Sequence, residues 1–123
     1  FDSRKISRYT QKDISKLLKD VGIIRNRLKI QATIANAKKF LEIKKEFGSF
    51  DRYIWQFVNH KTIKNRFKSL NEVPALTKES DFMSKELKKQ GLKFVGPTIC
   101  YAFMQAVGMV NDHIAGCFRY NEV

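Results

Sequence analysis

Near the end of the chain, residues 110–117 read VNDHIAGC. His113 and Cys117 are separated by three residues, a spacing that can offer an imidazole nitrogen and a thiolate to one metal ion. The same eight residues hold a carboxylate, Asp112, and a carboxamide, Asn111. A closed tetrahedral site needs four ligands, yet the chain has one other cysteine, Cys100, and one other histidine, His60. By spacing alone, the pair is either half a metal site or a coincidence. His60, in NHK, reads as a capping or surface residue. Cys100 reads as a small core residue on an apolar helix.

A second constellation lies in LKKQGLKFVGPTICYAFMQAVG, residues 87–108. A basic helix ends at Gly91, a turn carries Lys93 and closes on Gly96, and Pro97 opens the next helix where no N–H is needed. Such a turn presents free backbone N–H groups and the positive end of a helix dipole to a phosphate. Gly96 keeps side chains out of the approach. Lys88, Lys89 and Lys93 supply charge. The candidate DNA-phosphate ligands are Lys89, Gly91, Lys93, Val95, Gly96 and Thr98. The pattern, over about residues 81–109, resembles a helix-hairpin-helix element, which grips the DNA backbone without reading sequence.

The elements that must position these groups read as helices throughout, an all-α class. Asp2 or Ser3 caps a short helix reaching Tyr9. Thr10 caps a second, Gln11 to Lys19, whose Ile14, Leu17 and Leu18 face inward. Gly22 breaks it. The longest runs from Asn26 to Phe47 with the stripe Ile30, Ile34, Ala37, Leu41, and Gly48 stops it. Ser49 caps FDRYIWQFV, an aromatic segment best explained as core, Trp55 included. Residues 59–79 read as a long polar connection. Ser80 caps a fifth helix, Asp81 to Gln90. Thr98 leads a sixth to about Met109, apolar nearly all round and therefore expected to be buried and central.

Composition narrows the partners. The 123 residues suit one domain, 1–123, and 43% hydrophobic residues suffice for a core. No apolar run approaches membrane-spanning length, so no membrane partner is expected. Two cysteines make no disulfide framework, which points to a reducing compartment. The net charge is +12, and a domain so basic calls for a polyanion, nucleic acid first. Seven Lys and Arg fall between Arg25 and Lys45 against one acid, Glu42. Most suit a solvated face, but Arg25, Arg27 and Lys29 oppose the helix dipole and suggest an outside anion. The chain begins FDSRK rather than with Met, so an excised piece with further residues upstream is an expectation.

GIIRNRLKIQA (22–32), WQFVNH (55–60) and SKELKKQGLKFVGPTICYAFMQAVGMVNDHIAGC (84–117) resemble the bacterial type I DNA-3-methyladenine glycosylases. The resemblance covers essentially residues 1–120. It implies a helix-hairpin-helix glycosylase-like helical fold, present here in part. It implies a monofunctional enzyme, a monomer when complete, in the bacterial cytoplasm at the nucleoid. Such an enzyme flips 3-methyladenine out of double-stranded DNA and hydrolyses its N-glycosidic bond. Related glycosylases carry an aspartate where Asn111 stands, and the type I branch lacks it. Asp112 is then expected as a helix cap or a hydrogen-bond partner of His113. The base pocket and the catalytic groups belong to a segment N-terminal to this chain, so no catalytic residue is assigned here. The resemblance makes His113 and Cys117 two ligands of a structural zinc, the other two lying outside the chain. The alternative is a non-catalytic helix-hairpin-helix DNA-binding module. A basic RNA-associated protein is a weaker third, since neither basic tails nor RNA-stacking motifs are present.

Overall fold

The computed structural model describes all residues, 1–123. Six helices run in order: α1 Ser3–Ile6, α2 Gln11–Leu17, α3 Arg27–Phe47, α4 Phe50–Trp55, α5 Lys78–Lys89 and α6 Pro97–Ala106. Two two-residue strands, β1 Ile63–Lys64 and β2 Val110–Asn111, complete the chain with short 3-10 turns. No helix is long and apolar enough to cross a membrane. The chain forms two compact units. One comprises Phe1–Tyr53 with Leu87–Phe94, the other Ile54–Glu86 with Val95–Val123.

In the first unit, α1 and α2 pack on α3. Local chemistry starts these helices. The Asp2 carboxylate accepts from the Arg4 and Lys5 amides at 2.9 and 3.2 Å. The Asp13 carboxylate reaches back to the Thr10 N–H at 2.7 Å. Asn26 caps α3 through the Lys29 amide at 3.1 Å. Ile14, Ile30 and Ile34 form a buried cluster, with Ile6, Leu17 and Leu18 packed against it. Toward its C-terminus α3 enters aromatic packing: Phe40 on Phe50 and Phe47 on Tyr53, each at 4.7 Å between ring centroids.

In the second unit β1 and β2 pair in parallel, Ile63 opposite Val110 and Lys64 opposite Asn111. The segment read as a plain connection, 59–79, therefore contains a strand. Two residues are too few to show an alternation, and the partner strand lies far along the chain. Buried apolar residues here include Ile54, Val58, Met83, Tyr101, Met104 and Met109. Trp55 is only half-buried.

Two further boundaries differ from expectation. α5 begins at Lys78, and Ser80 is not its cap but a fully buried third residue. Thr77 precedes the helix, its N–H bonded to Ser80 Oγ at 2.9 Å. α6 stops at Ala106 and is buried on one face only. Cys100, Tyr101 and Met104 are inside, whereas Ile99, Phe103 and Val107 are exposed. Composition shows that a helix is apolar; only packing shows which of its faces is covered.

Candidate nucleic-acid interface

The hairpin is shaped first by the end of α5. The Leu92 amide bonds the Leu87 carbonyl at 3.0 Å and the Gly91 amide bonds the Lys88 carbonyl at 2.9 Å. This is a Schellman ending, which puts Gly91 in the left-handed region at φ +90°. A Cβ at Gly91 would lie 3.1 Å from Cε of Lys39, on α3. The turn then meets Asn36, one helical turn before Lys39. The Asn36 carboxamide donates to the Lys93 carbonyl at 2.9 Å and accepts from the Lys93 N–H at 2.8 Å. This reciprocal pair imitates one rung of a β-ladder. Phe94 follows at φ +58° with its ring exposed. Neither the Phe94 amide nor those of Val95 and Gly96 donate to a protein group.

Beyond the turn, the Val95 carbonyl accepts from Ser84 Oγ at 2.6 Å and from Cys100 Sγ at 3.5 Å. Gly96 caps α6 and Pro97 is its first residue. Cys100 is buried at 3% exposure, as a core residue would be. Thr98 sits exposed in the first turn of α6, and Lys89 and Lys93 are exposed as well. In the first unit Lys89 and Lys93 offer charge to an anion; in the second, Gly96 and Pro97 open a helix N-terminus.

The VNDHIAGC loop follows the C-terminus of α6. Gly108, at φ +77°, ends that helix as Gly91 ends α5, with Met109 bonded back to the Met104 carbonyl. Asn111 is 1% exposed. Its amide nitrogen donates to the main-chain oxygens of Tyr120 and Val123 at 2.8 and 3.2 Å, and its oxygen accepts from the His113 N–H at 3.1 Å. The carboxamide ties the last residues to the loop. Asp112 neither caps a helix nor bonds His113, contrary to expectation. Its oxygens accept from Tyr101 OH at 2.5 Å, Gln105 Nε2 at 2.8 Å and Asn65 Nδ2 at 2.7 Å. A carboxylate so engaged braces α6 against the residues after β1. Burial, and then the Asp112 carboxylate, push the Tyr101 phenol above its ordinary pKa.

His113 and Cys117 do converge, with Nδ1 and Sγ 3.7 Å apart. Zinc bound tetrahedrally at ordinary Zn–N and Zn–S lengths separates such atoms by about 3.6 Å, so the pair fits a metal. No group of three or more His, Cys, Asp or Glu side chains is placed to hold one. His60 is exposed and left-handed, the tail of a turn. Asn36, Asn65 and Gln105 went unread in the sequence. Each is a polar residue whose partner lies elsewhere in the chain, and no local signal marks it.

The family model for methyladenine glycosylase matches residues 1–120. The chain belongs to the methyladenine glycosylase family. It is 48% identical over 120 residues to DNA-3-methyladenine glycosylase 1 of Escherichia coli (strain K12), covering 98% of this chain and 64% of that protein. It is 45% identical over 117 residues to DNA-3-methyladenine glycosylase of Haemophilus influenzae, covering 95% and 63%. A crystal structure of 3-methyladenine DNA glycosylase I superposes with a TM-score of 0.91 at 47% identity, over 95% of this chain and 64% of that one. The Staphylococcus aureus 3-methyladenine DNA glycosylase I, solved for its recognition of 3-methyladenine, gives 0.91 at 28% identity, over 95% and 62%. The chain thus spans somewhat under two thirds of the relatives it matches. The three hydrogen bonds of the Asn111 side chain give its carboxamide a structural task.

Proposed function

We propose that this chain is the DNA-holding body of a 3-methyladenine DNA glycosylase. The observation that carries the reading is the family match over residues 1–120. The hairpin geometry supports it. In this reading Lys89 and Lys93 attract the backbone, Gly91 shapes the turn, and the amides at Val95, Gly96 and Thr98 face a phosphate. Held there, the duplex presents an alkylated adenine that flips out of the stack. Water then adds at the sugar anomeric carbon as the bond to the base breaks, the electron pair of that bond neutralises the cationic base, and the proton lost by the water passes to solvent, leaving an abasic site and free 3-methyladenine. The base is cationic before cleavage and leaves readily, so little acid catalysis is required. The base pocket and catalytic groups belong to the part of the relatives that this chain does not span. The enzyme acts as a monomer on double-stranded DNA in the bacterial cytoplasm.

His113 and Cys117 are two of four ligands of a structural zinc, the other two lying outside this chain. When bound, the ion would supply no chemistry beyond tying this loop to the segment with the remaining ligands.

A second reading, a DNA-binding module without catalysis, is favoured for this chain by itself by Asp112, the loop's only carboxylate, being fully engaged. One experiment covers both. The chain alone and a longer form with the relatives' additional residues are incubated with alkylated duplex DNA. The chain alone is expected to bind DNA in a salt-sensitive manner without releasing base, and the longer form to release 3-methyladenine. No release from the longer form overturns the enzyme reading. Absence of DNA binding overturns both.

A further inference from the structure

We infer that Asn36 is a positioning residue for the phosphate grip: it holds the Lys93–Phe94 stretch of the turn in its binding shape before DNA arrives. The inference rests on the DNA-binding reading above and adds a residue that neither the motif nor the charge pattern marks.

Three observations converge. Asn36 makes both possible hydrogen bonds to the backbone of one residue, Lys93, at 2.9 and 2.8 Å. Those two bonds fix the orientation of the peptides on either side of Lys93. The following residue, Phe94, lies at φ +58°, a region that aromatic residues avoid and that persists only where the surroundings impose it. The residue is 56% exposed, so its burial alone does not impose it. The Asn36 rung is the restraint immediately before it. Finally, the Phe94 N–H has no acceptor in the protein, leaving it for an outside anion.

Lys39 adds to the same seat. Its stem runs past Gly91 and its ammonium pairs with Glu42 at 2.7 Å. That pairing makes Lys39 a spacer under the turn rather than an unpaired cation. α3 therefore presents a shaped support to the turn: one carboxamide that bonds the backbone and one aliphatic stem that packs beside the glycine. Without the carboxamide, residue 94 relaxes toward ordinary backbone conformations. The turn must then be reordered each time DNA binds, and that cost appears as lost affinity.

The test measures duplex DNA affinity of the full chain across a range of salt concentrations. If the wild-type chain does not bind, the DNA-binding reading has failed and not this inference alone. Given wild-type binding, Asn36→Ala is expected to weaken affinity about five- to tenfold with an unchanged salt slope, because no charge is lost. Lys93→Ala is expected to lower the slope by about one. Ile14→Val, a core change in the same unit, controls for lost stability and is expected to leave affinity within about twofold. The diagnostic variant is Phe94→Asn in the Asn36→Ala background. Asparagine tolerates the left-handed region, so it should recover most of the lost affinity. Should Asn36→Ala fail to fold, Asn36→Ser takes its place in both comparisons. Affinity within twofold of wild type on removal of the Asn36 carboxamide, or no recovery in the double variant, overturns the inference.

Discussion

Replacing Asn111 by aspartate would put a carboxylate where the structure uses the two donors of a carboxamide, and the fold will resist it. The Asn111 NH2 points at two main-chain oxygens, those of Tyr120 and Val123, at 2.8 and 3.2 Å. An ionised carboxyl converts both hydrogen bonds into oxygen–oxygen repulsions at a site only 1% exposed. Two net hydrogen bonds are worth about 2 kcal/mol together. The uncompensated buried charge brings the loss to about 3–5 kcal/mol, a large part of the ~5–15 kcal/mol typical of a whole domain. For a chain of this length that lowers Tm by roughly 10–20 °C. Protonation offers a partial escape, since a neutral acid donates one hydrogen bond. The introduced carboxyl therefore has its folded pKa raised above the unfolded value of about 3.9. The deficit is smallest below pH ~4, where the group is protonated in both states. It grows as pH rises through the folded pKa. Chemical denaturation of wild type, Asn111→Asp and Asn111→Ala from about pH 4 to about pH 8 measures this. The alanine variant loses about 2–3 kcal/mol without that added pH dependence. An Asn111→Asp protein within about 0.5 kcal/mol of wild type at neutral pH would refute the assignment of Asn111 as the tie between the loop and residues 120–123.

Two other outcomes follow from the geometry. Hydrogen bonds from the Thr10 backbone and then its hydroxyl hold the Asp13 carboxyl below the ordinary aspartate value of 3.8. Its stabilisation of α2 is therefore complete above that value and lost as pH falls through the lower folded pKa; acid titration of Asp13→Asn beside wild type should show a shallower loss, and parallel curves would contradict it. Cobalt(II) titration of the chain alone should give weak binding, since two ligands rarely retain such a metal. That binding should vanish in both His113→Ala and Cys117→Ser; tight binding, or binding indifferent to either change, would refute the two-ligand assignment.

The helices were legible wherever their signals are local. Asn26 and Gly48 bracket α3 within a residue of the expected limits, because a cap and a stop act on neighbouring amides. Thr10 with Asp13, and Asp2 with Arg4 and Lys5, are similarly short-range. Gly91 ending α5 was legible for the same reason. Less legible were the start of α5, where Thr77 and Ser80 offered competing caps three residues apart, and the end of α6, where an apolar run continued past Gly108. The candidate site divides along the same line. The glycines, Pro97 and the lysines of the hairpin could be read in order, as could the spacing of His113 and Cys117. The support beneath them could not.

By itself, the sequence determined the helical class, the basic character, the Gly91 stop of α5 and the family, since each is written in neighbouring residues or in the motif as a whole. Tertiary structure alone decided that Asn36 meets Lys93 across 57 residues and that Asn65 meets Asp112 across 47. It decided too that α6 buries Tyr101 while exposing Ile99. A polar side chain carries no record of its distant partner. It is satisfied by whichever donor or acceptor the folded chain brings within about 3 Å, and that choice is made only when the helices pack.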